Sequence, residues 1–570
     1  MKRILFLSSA LPLLCLLLAP QSARSSSLDI TSAPIADVEK ALNSGALTSE
    51  KLVNLYLARI AAYDKQGPVI NAIITLNPKA LDEARALDAE RKAKGPRSPI
   101  HGIPVVLKDN YNTFDLPTTG GCKVLEGSIP PADAFVVKKL RDAGVIILAK
   151  LNMSEFALGG GAPNGFSSMG GQTKNPHDLT KGPSGSSGGT GASIASAFAL
   201  FGMGTDTGGS IRGPSSVNGI AGLKPTRGLL SRNGIIPLAL SRDTGGPMAR
   251  NVSDIATVLG IMTGVDPADE ATRSSAGKYS TDYTQYLKLG ALHGARIGVA
   301  RDFFGKDPEV IGIMEEAILK LKELGATVID PVAFPAYFLS ARGGAGGAPG
   351  GRRGGRSGGA APGGGGGGGS GFATEFKAQL AVYLATLKPG YPRTLEELVA
   401  KAEDPATGYS SPWKLASMKQ MIKVAQDYND PTFQVTINEG YALTRATVLA
   451  VMADNNLDAL IYPTETTPAT PIGKGTFPGD PGAGGGGAAG GPGGPGGGGG
   501  AAGIANETGF PDLIVPAGMT KDGLPVTISF FGPAYSEGKL LGYGYDFEQA
   551  TKARVLPKFT PELPTDVVNY

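Results

Sequence analysis

Cysteine, histidine and tryptophan are all scarce in this chain of 570 residues, which holds two, three and one of them respectively. His101, His177 and His293 lie far apart without metal-ligand spacing, and with so few thiols this argues against a zinc hydrolase. Of the cysteines, Cys15 sits in an apolar N-terminal run, so once that run is removed Cys122 is alone and no intramolecular disulfide can form. The fold must then hold by its core. No histidine neighbours Cys122 in sequence, and a lone cysteine of this kind reads as a small buried apolar residue. Charge of one sign is also missing: 53 basic and 50 acidic side chains leave +3, which gives no electrostatic case for a nucleic-acid partner.

Long hydrophobic runs are equally few. One extends from Ile4 to about Ala19, preceded by Lys2 and Arg3 and followed by polar residues with small side chains at Ala23 and Ser25. It falls short of the ~20 residues that span a bilayer, and its flanks are those of a secretory signal peptide cleaved after Ala23 or Ser25. Leu13 and Leu14 precede Cys15, so the small residue expected before a lipidated cysteine is absent. The expectation is an exported protein, periplasmic or extracellular, with no stable membrane anchor after cleavage.

What the chain has in excess is glycine, 85 residues, much of it in two blocks at Gly343–Gly371 and Gly479–Gly503. Glycine loses more backbone entropy on ordering than any other residue and brings no apolar surface, so both blocks are expected to be mobile surface loops. Arg352, Arg353 and Arg356 give the first a likeness to Arg-Gly tracts that bind nucleic acid, but three arginines are too few to displace the solvated insertion as the default. The domain reading is a signal peptide over 1–25 and a single domain over 26–570, interrupted at 343–371 and 479–503.

Between these features the pattern alternates. Thr48 or Ser49 can cap a helix through Leu52, Leu55, Tyr56, Arg59 and Ile60, and Pro78 to Lys94 is a second helical stretch. Ile103–Leu107 and Val145–Leu148 are short apolar runs of strand type, separated by the amphipathic Ala134–Arg141. Ala192–Leu200 reads as a small-residue helix, Ala295–Ala300 and Pro308–Leu324 as strand then helix, and Leu457–Tyr462 as another strand. Helices alternating with buried strands indicate a layered α/β fold.

The runs Gly182-Pro-Ser-Gly-Ser-Ser-Gly-Gly-Thr190 and Thr205-Asp-Thr-Gly-Gly-Ser-Ile-Arg-Gly213 carry the chemistry. A flexible linker has no use for the apolar segments that border them or for Asp206 and Arg212. Glycine lets several backbone N–H groups converge on one point while a serine supplies an attacking oxygen, an arrangement suited to acyl transfer. Gly185-Ser-Ser-Gly188 does not supply the Gly-x-Ser-x-Gly elbow of a Ser-His-Asp hydrolase. Lys108, at the end of an apolar strand where desolvation lowers an ammonium pKa, is the best candidate base.

Together these residues resemble the amidase signature family of serine hydrolases. The likeness covers nearly the whole chain after the leader, apart from the glycine blocks. It rests on His101-Gly-Ile-Pro-Val-Val-Leu-Lys-Asp109, Lys150-Leu-Asn-Met-Ser-Glu-Phe156, Gly171-Gln-Thr-Lys-Asn-Pro176, the two serine runs, Gly222-Leu-Lys-Pro-Thr226 and Gly523-Leu-Pro-Val526. The stretch Gly234–Arg250 leans toward the bacterial peptide amidases.

By resemblance, Ser210 is the nucleophile, Ser186 the bridging serine after a cis peptide bond, and Lys108 the base. Thr207, Gly208, Gly209 and Ser210 would supply the oxyanion hole, Ser186 would also meet substrate, and Ser187, Asp206 and Arg212 would support the site. Thr190 and Gly213-Pro-Ser215 depart from common relatives, which bears on pocket shape rather than on the three catalytic groups. His101 belongs to the family strand and needs no catalytic role. The implied fold is a layered α/β/α domain with a large twisted mixed sheet flanked by helices. The implied activity is hydrolysis of a small-molecule or peptide amide, with no cofactor and no metal. Two rivals stay open: the amidase subunit of a glutamine-dependent tRNA amidotransferase, against which the leader argues, and an inactive secreted binding protein on the same fold, against which the retained Lys108, Ser186 and Ser210 argue.

Overall fold

The computed structural model describes residues 27–158, 164–341, 370–473 and 501–569. The leader and all but the C-terminal edges of the two glycine blocks lie outside these residues. Those edges are helical: Ser370–Ala385 begins beside Gly371, and Ala502–Thr508 includes Gly503.

Eleven strands make one mixed sheet. In chain order they are β1 (Ile73–Leu76), β2 (Pro104–Lys108), β3 (Ile146–Leu151), β4 (Phe201–Asp206), β5 (Ala221–Lys224), β6 (Thr244–Ala249), β7 (Arg296–Val299), β8 (Thr327–Ile329), β9 (Ala459–Pro463), β10 (Asp512–Met519) and β11 (Pro525–Phe531). Their order across the sheet is β8-β7-β9-β11-β10-β5-β6-β4-β2-β3-β1. The middle is antiparallel, and β2 is flanked by parallel partners, Val105 opposite Phe201 of β4 and Pro104 opposite Ile146 of β3. β2, β3, β4 and β9 are buried at every position, as strands covered by helices on both faces must be. That covering is the expected α/β/α layering.

Most elements fall where the hydrophobic periodicity puts them. Thr48 accepts the Lys51 N–H and caps the helix Ser49–Tyr63, and Asp307 caps Pro308–Glu323. One helix is displaced. Instead of Ala192–Leu200, the helix runs over Gly188–Ala195, starting inside the glycine run, and Ala197 takes a positive φ of 54° beyond its end. Tertiary packing overrides propensity here. A side chain on Gly189 would stand 2.2 Å from the Asn152 carbonyl oxygen and one on Gly191 2.8 Å from that of Pro214, so only glycine lets this helix lie so close to its neighbours.

The main core follows the sheet, and a second apolar cluster gathers Cys122, Phe156, Phe376, Leu384, Leu398 and Met418 under the helices after residue 370. The two ends of the described chain pair with each other, Ser27–Asp29 antiparallel to Val567–Asn569. Beneath that ribbon the buried Arg59 donates to the carbonyls of Ser196 and Thr560 and pairs with Asp566. Among the described residues no helix is long and apolar enough to cross a membrane.

Candidate active site

Lys108 ends β2, and the four apolar residues before it carry its side chain into the protein, where it is fully buried. Its Nζ lies 2.7 Å from Ser186 Oγ and 2.7 Å from Thr205 Oγ1, with the Thr205 carbonyl at 3.3 Å. Parallel pairing of β2 with β4 sets this distance, because it brings the C-terminal ends of the two strands side by side. Burial pushes the Lys108 pKa down to about 7, only partly opposed by the carboxylates of Asp206 and Asp243. A neutral amine is thus accessible near neutral pH, and its lone pair can accept a proton from the Ser186 hydroxyl.

Ser186 follows a cis peptide bond with Gly185 and is 3 % exposed. Its neighbour Ser187 is bound to the backbone on two sides. Its Oγ donates to the Thr205 carbonyl at 3.2 Å and accepts the Thr205 N–H at 3.3 Å, while its own N–H donates to the Ser210 carbonyl at 3.2 Å. The loop that carries Ser186 is therefore bound both to the end of β4 and to Ser210.

Ser210 lies in the turn between β4 and the short helix Arg212–Val217. That turn wraps around one carboxylate. Asp206 accepts the N–H of Gly209 at 2.8 Å and of Ile211 at 2.9 Å, along with Arg212 Nε at 3.2 Å and Asn506 Nδ2 at 2.9 Å. Arg212 extends to Asn506 Oδ1 at 2.6 Å and to Asp512 at 3.2 Å, and Tyr462 donates to the same Asp512 oxygen. Burial alone would raise the Asp206 carboxyl, but Arg212 and the donated hydrogen bonds outweigh it and hold the group well below the usual carboxylate range. Gly209 has φ +113°, which a residue with a side chain rarely adopts.

Of the four N–H groups assigned by resemblance to the oxyanion hole, that of Gly209 is turned inward to Asp206. Thr207 is positioned through its hydroxyl, which donates to Asp243, a carboxylate that also accepts the N–H groups of Leu238 and Ala239.

Sequence reasoning missed Thr205, which holds Lys108 from the other side and also accepts Asn110 Nδ2 at 3.0 Å. Its place at the head of the second serine run was the only signal. Asp512 and Asp243 were missed, and although the resemblance puts the segment Asn506–Pro511 near the substrate entrance, the contact of Asn506 with Asp206, 300 positions away, is announced by no local pattern. His101 is buried, with Nε2 3.0 Å from the Leu87 carbonyl and the Arg97 N–H on Nδ1. Cys122 is free and buried, and burial pushes its thiol pKa well up. No cluster of His, Cys, Asp and Glu that could hold a metal occurs among the described residues.

A buried lysine hydrogen-bonded to a serine thus stands beside a glycine-rich turn at the C-terminal ends of parallel strands in an α/β fold. The chain belongs to the Amidase family, whose model matches residues 51–340. It is 33 % identical over 541 residues to a glutamyl-tRNA(Gln) amidotransferase subunit of Thermoanaerobacter pseudethanolicus, covering 93 % of this chain and 99 % of that one. It is 32 % identical over 552 residues to a probable amidase of Arabidopsis thaliana, covering 95 % and 94 %. Among solved structures, the peptide amidase of Stenotrophomonas maltophilia superposes with a TM-score of 0.78 at 35 % identity, covering 93 % of this chain and 99 % of that one. The protein is an amide-hydrolysing enzyme with the α/β fold of this family.

Proposed function

We propose that the protein is an exported amidohydrolase that cleaves a carboxylic amide through a Ser210 acyl-enzyme. The 2.7 Å contact between Lys108 and Ser186 inside the protein carries this reading. Neutral Lys108 takes the Ser186 proton as Ser186 takes that of Ser210, and Ser210 Oγ bonds to the amide carbon. The carbonyl oxygen becomes an oxyanion. With the Gly209 N–H engaged by Asp206, the donors left to meet it are the N–H groups of Thr207, Gly208 and Ser210. The proton returns through Ser186 to the nitrogen, the C–N bond breaks, and ammonia or an amine departs. Water then attacks the ester by the same relay and restores Ser210. Asp206, Arg212 and Ser187 hold the turn and the loop in register.

Similarity to the peptide amidase favours a peptide or small-molecule amide substrate. Export rests on Lys2, Arg3 and the apolar run to Ala19. The second reading, the amidase component of a tRNA amidotransferase, is favoured by 33 % identity to a component of that kind over 93 % of the chain. The deciding experiment is fluorophosphonate labelling with the modified residue mapped by mass spectrometry, followed by turnover of peptide, aliphatic and aromatic amides by the isolated protein. Labelling at Ser210 with free-standing turnover supports the first reading. An isolated protein that labels at Ser210 but hydrolyses no amide favours the second, and labelling elsewhere overturns the mechanism.

A further inference from the structure

Asp243 stands directly before β6, and the antiparallel register that pairs Thr244 with Asp206 puts it opposite Thr207, one step beyond the last ladder pair of β4. Where the ladder stops, a side-chain bond takes over: the Thr207 hydroxyl donates to Asp243 Oδ1. The other carboxylate oxygen accepts the N–H groups of Leu238 at 2.8 Å and Ala239 at 3.0 Å, and the Arg242 and Asp243 N–H groups both return to the Ala239 carbonyl at 2.8 Å. The segment Leu238–Asp243 is thereby wound around its own buried carboxylate.

The same segment is also fastened to the helix Ser370–Ala385. Leu240 N–H donates to Gln379 Oε1 at 2.8 Å, and Ser241 gives its N–H and its hydroxyl to Glu375 at 3.2 Å and 2.6 Å. Both Asp243 oxygens have partners, and a buried polar network satisfied in this way is stiff. Thr207 opens the turn that leads to Ser210. With the Gly209 N–H taken by Asp206, its own N–H is one of three left to meet the oxyanion. A threonine has few χ1 rotamers, so a fixed hydroxyl fixes the Cα–Cβ direction and with it the peptide that carries the N–H.

We infer that Asp243 is a positioning residue for amide hydrolysis, one that aims the Thr207 N–H at the oxyanion by way of the Thr207 hydroxyl. This rests on the amidase reading of the same site. The carboxylate also leaves a second signature. Asp243 and Asp206 are the two charges that favour the protonated form of Lys108, so removing either lowers the pH at which Lys108 becomes a base. The charged groups that act on Asp243 in turn are Arg232, which favours its carboxylate, and Glu375, which opposes it.

The test compares Thr207→Val, Thr207→Ser, Asp243→Asn and the double variant Asp243→Asn/Thr207→Val in the full chain. Each is read by kcat and KM on one amide, by the rate of fluorophosphonate labelling at Ser210, and by the pH–rate profile. Thr207→Val removes the hydroxyl but leaves the backbone N–H and the Asp243 charge. It is expected to lower kcat by about 10-fold or more, with KM within about threefold of wild type and the acid limb unmoved. Thr207→Ser keeps the hydroxyl and is expected to recover most of that loss. Asp243→Asn is expected to lower kcat at least as far and to move the acid limb to lower pH. The double variant is expected to be slower than Asp243→Asn by no more than about twofold, since both changes break one contact.

Wild-type kcat in Thr207→Val overturns the inference, as do equal losses in Thr207→Val and Thr207→Ser. A change confined to KM makes the pair a substrate contact and overturns it too. Additive losses with an unmoved limb are what a merely structural Asp243 gives, and they reject the inference. If Asp243→Asn fails to fold, the two threonine variants decide. If the wild type labels at Ser210 but hydrolyses no amide, the amidase reading falls and the labelling rates of the same variants judge the inference. If the wild type hydrolyses amides and every variant matches it, the reading stands and the inference falls.

Discussion

Lys108 and Thr205 meet at 2.7 Å across neighbouring parallel strands, so the amine that faces Ser186 is held from behind by a hydroxyl. The Thr205 oxygen accepts from Asn110 as well, and its backbone is clasped by Ser187. The Lys108 amine is thus held by groups from two other stretches of chain, the Ser186 loop and the end of β4.

Ser210→Ala is expected to abolish amide hydrolysis by at least about 10³-fold in kcat, since loss of a nucleophile leaves only the binding and oxyanion contributions. The melting temperature is expected to stay close to wild type, because the turn is held by Asp206 and not by the serine hydroxyl. Turnover and thermal melting of the purified variant check both.

Wild-type kcat/KM is expected to rise with pH through about 7, because only neutral Lys108 can accept a proton. Lys108→Ala is expected to lose most activity and Lys108→Arg to do no better, since a guanidinium stays protonated. A pH–rate profile of the wild type and single-turnover assays of both variants give the answer. An active arginine variant would remove Lys108 from the role of base.

Thr205→Val keeps the shape of the side chain but removes an acceptor that favours the charged lysine. The lysine pKa is then expected to fall, moving the acid limb of the pH–rate profile to lower pH, while the loss of positioning lowers kcat by about 10-fold or more. A drop in rate with an unmoved limb would show that Thr205 does not act on Lys108.

Asp206→Ala leaves Arg212 buried without one of the two carboxylates it pairs with and frees the N–H groups of Gly209 and Ile211. A loss of about 3–5 kcal/mol is expected, read as a lower denaturation midpoint. In the wild type the sign with pH follows from the depressed carboxyl. Its stabilisation is present above the unfolded carboxylate pKa and is lost as pH falls through the still lower folded value, which acid titration followed by circular dichroism records.

The layered architecture and the positions of most strands are legible in the sequence because buried strands write themselves as short apolar runs, Ile103–Leu107 being the clearest. Lys108, Ser186 and the turn around Asp206 are legible because glycine and serine crowd together only where backbone must approach a ligand or a neighbouring chain segment. The helix at Gly188 is not, since its glycines satisfy packing against Asn152 and Pro214 and run counter to helix propensity. The contacts of Asn506 and Asp243 are illegible for a topological reason: they connect loops that adjoin only once the eleven-stranded order is in place.

If the leader is removed on export, the N-terminus of the secreted protein is expected at Arg24 or Ser26, depending on whether cleavage follows Ala23 or Ser25. Intact-mass analysis of protein recovered from the culture medium or periplasm checks this. Recovery only of the full-length chain inside the cell would reject export.

The ribbon that joins Ser27–Asp29 to Val567–Asn569, with Arg59 bound to Asp566 507 positions away, makes closure of the native fold depend on segments far apart in the chain. During synthesis, Arg59 emerges early and waits, as a cation without its partner, for the whole sheet to be laid down. Contacts of such long range raise the entropic barrier to folding and slow it. A chain that lacks Thr560 and Asp566 would keep every residue of the candidate active site and still leave Arg59 buried without its carboxylate, so a loss near Asp566 is felt at the helix Ser49–Tyr63.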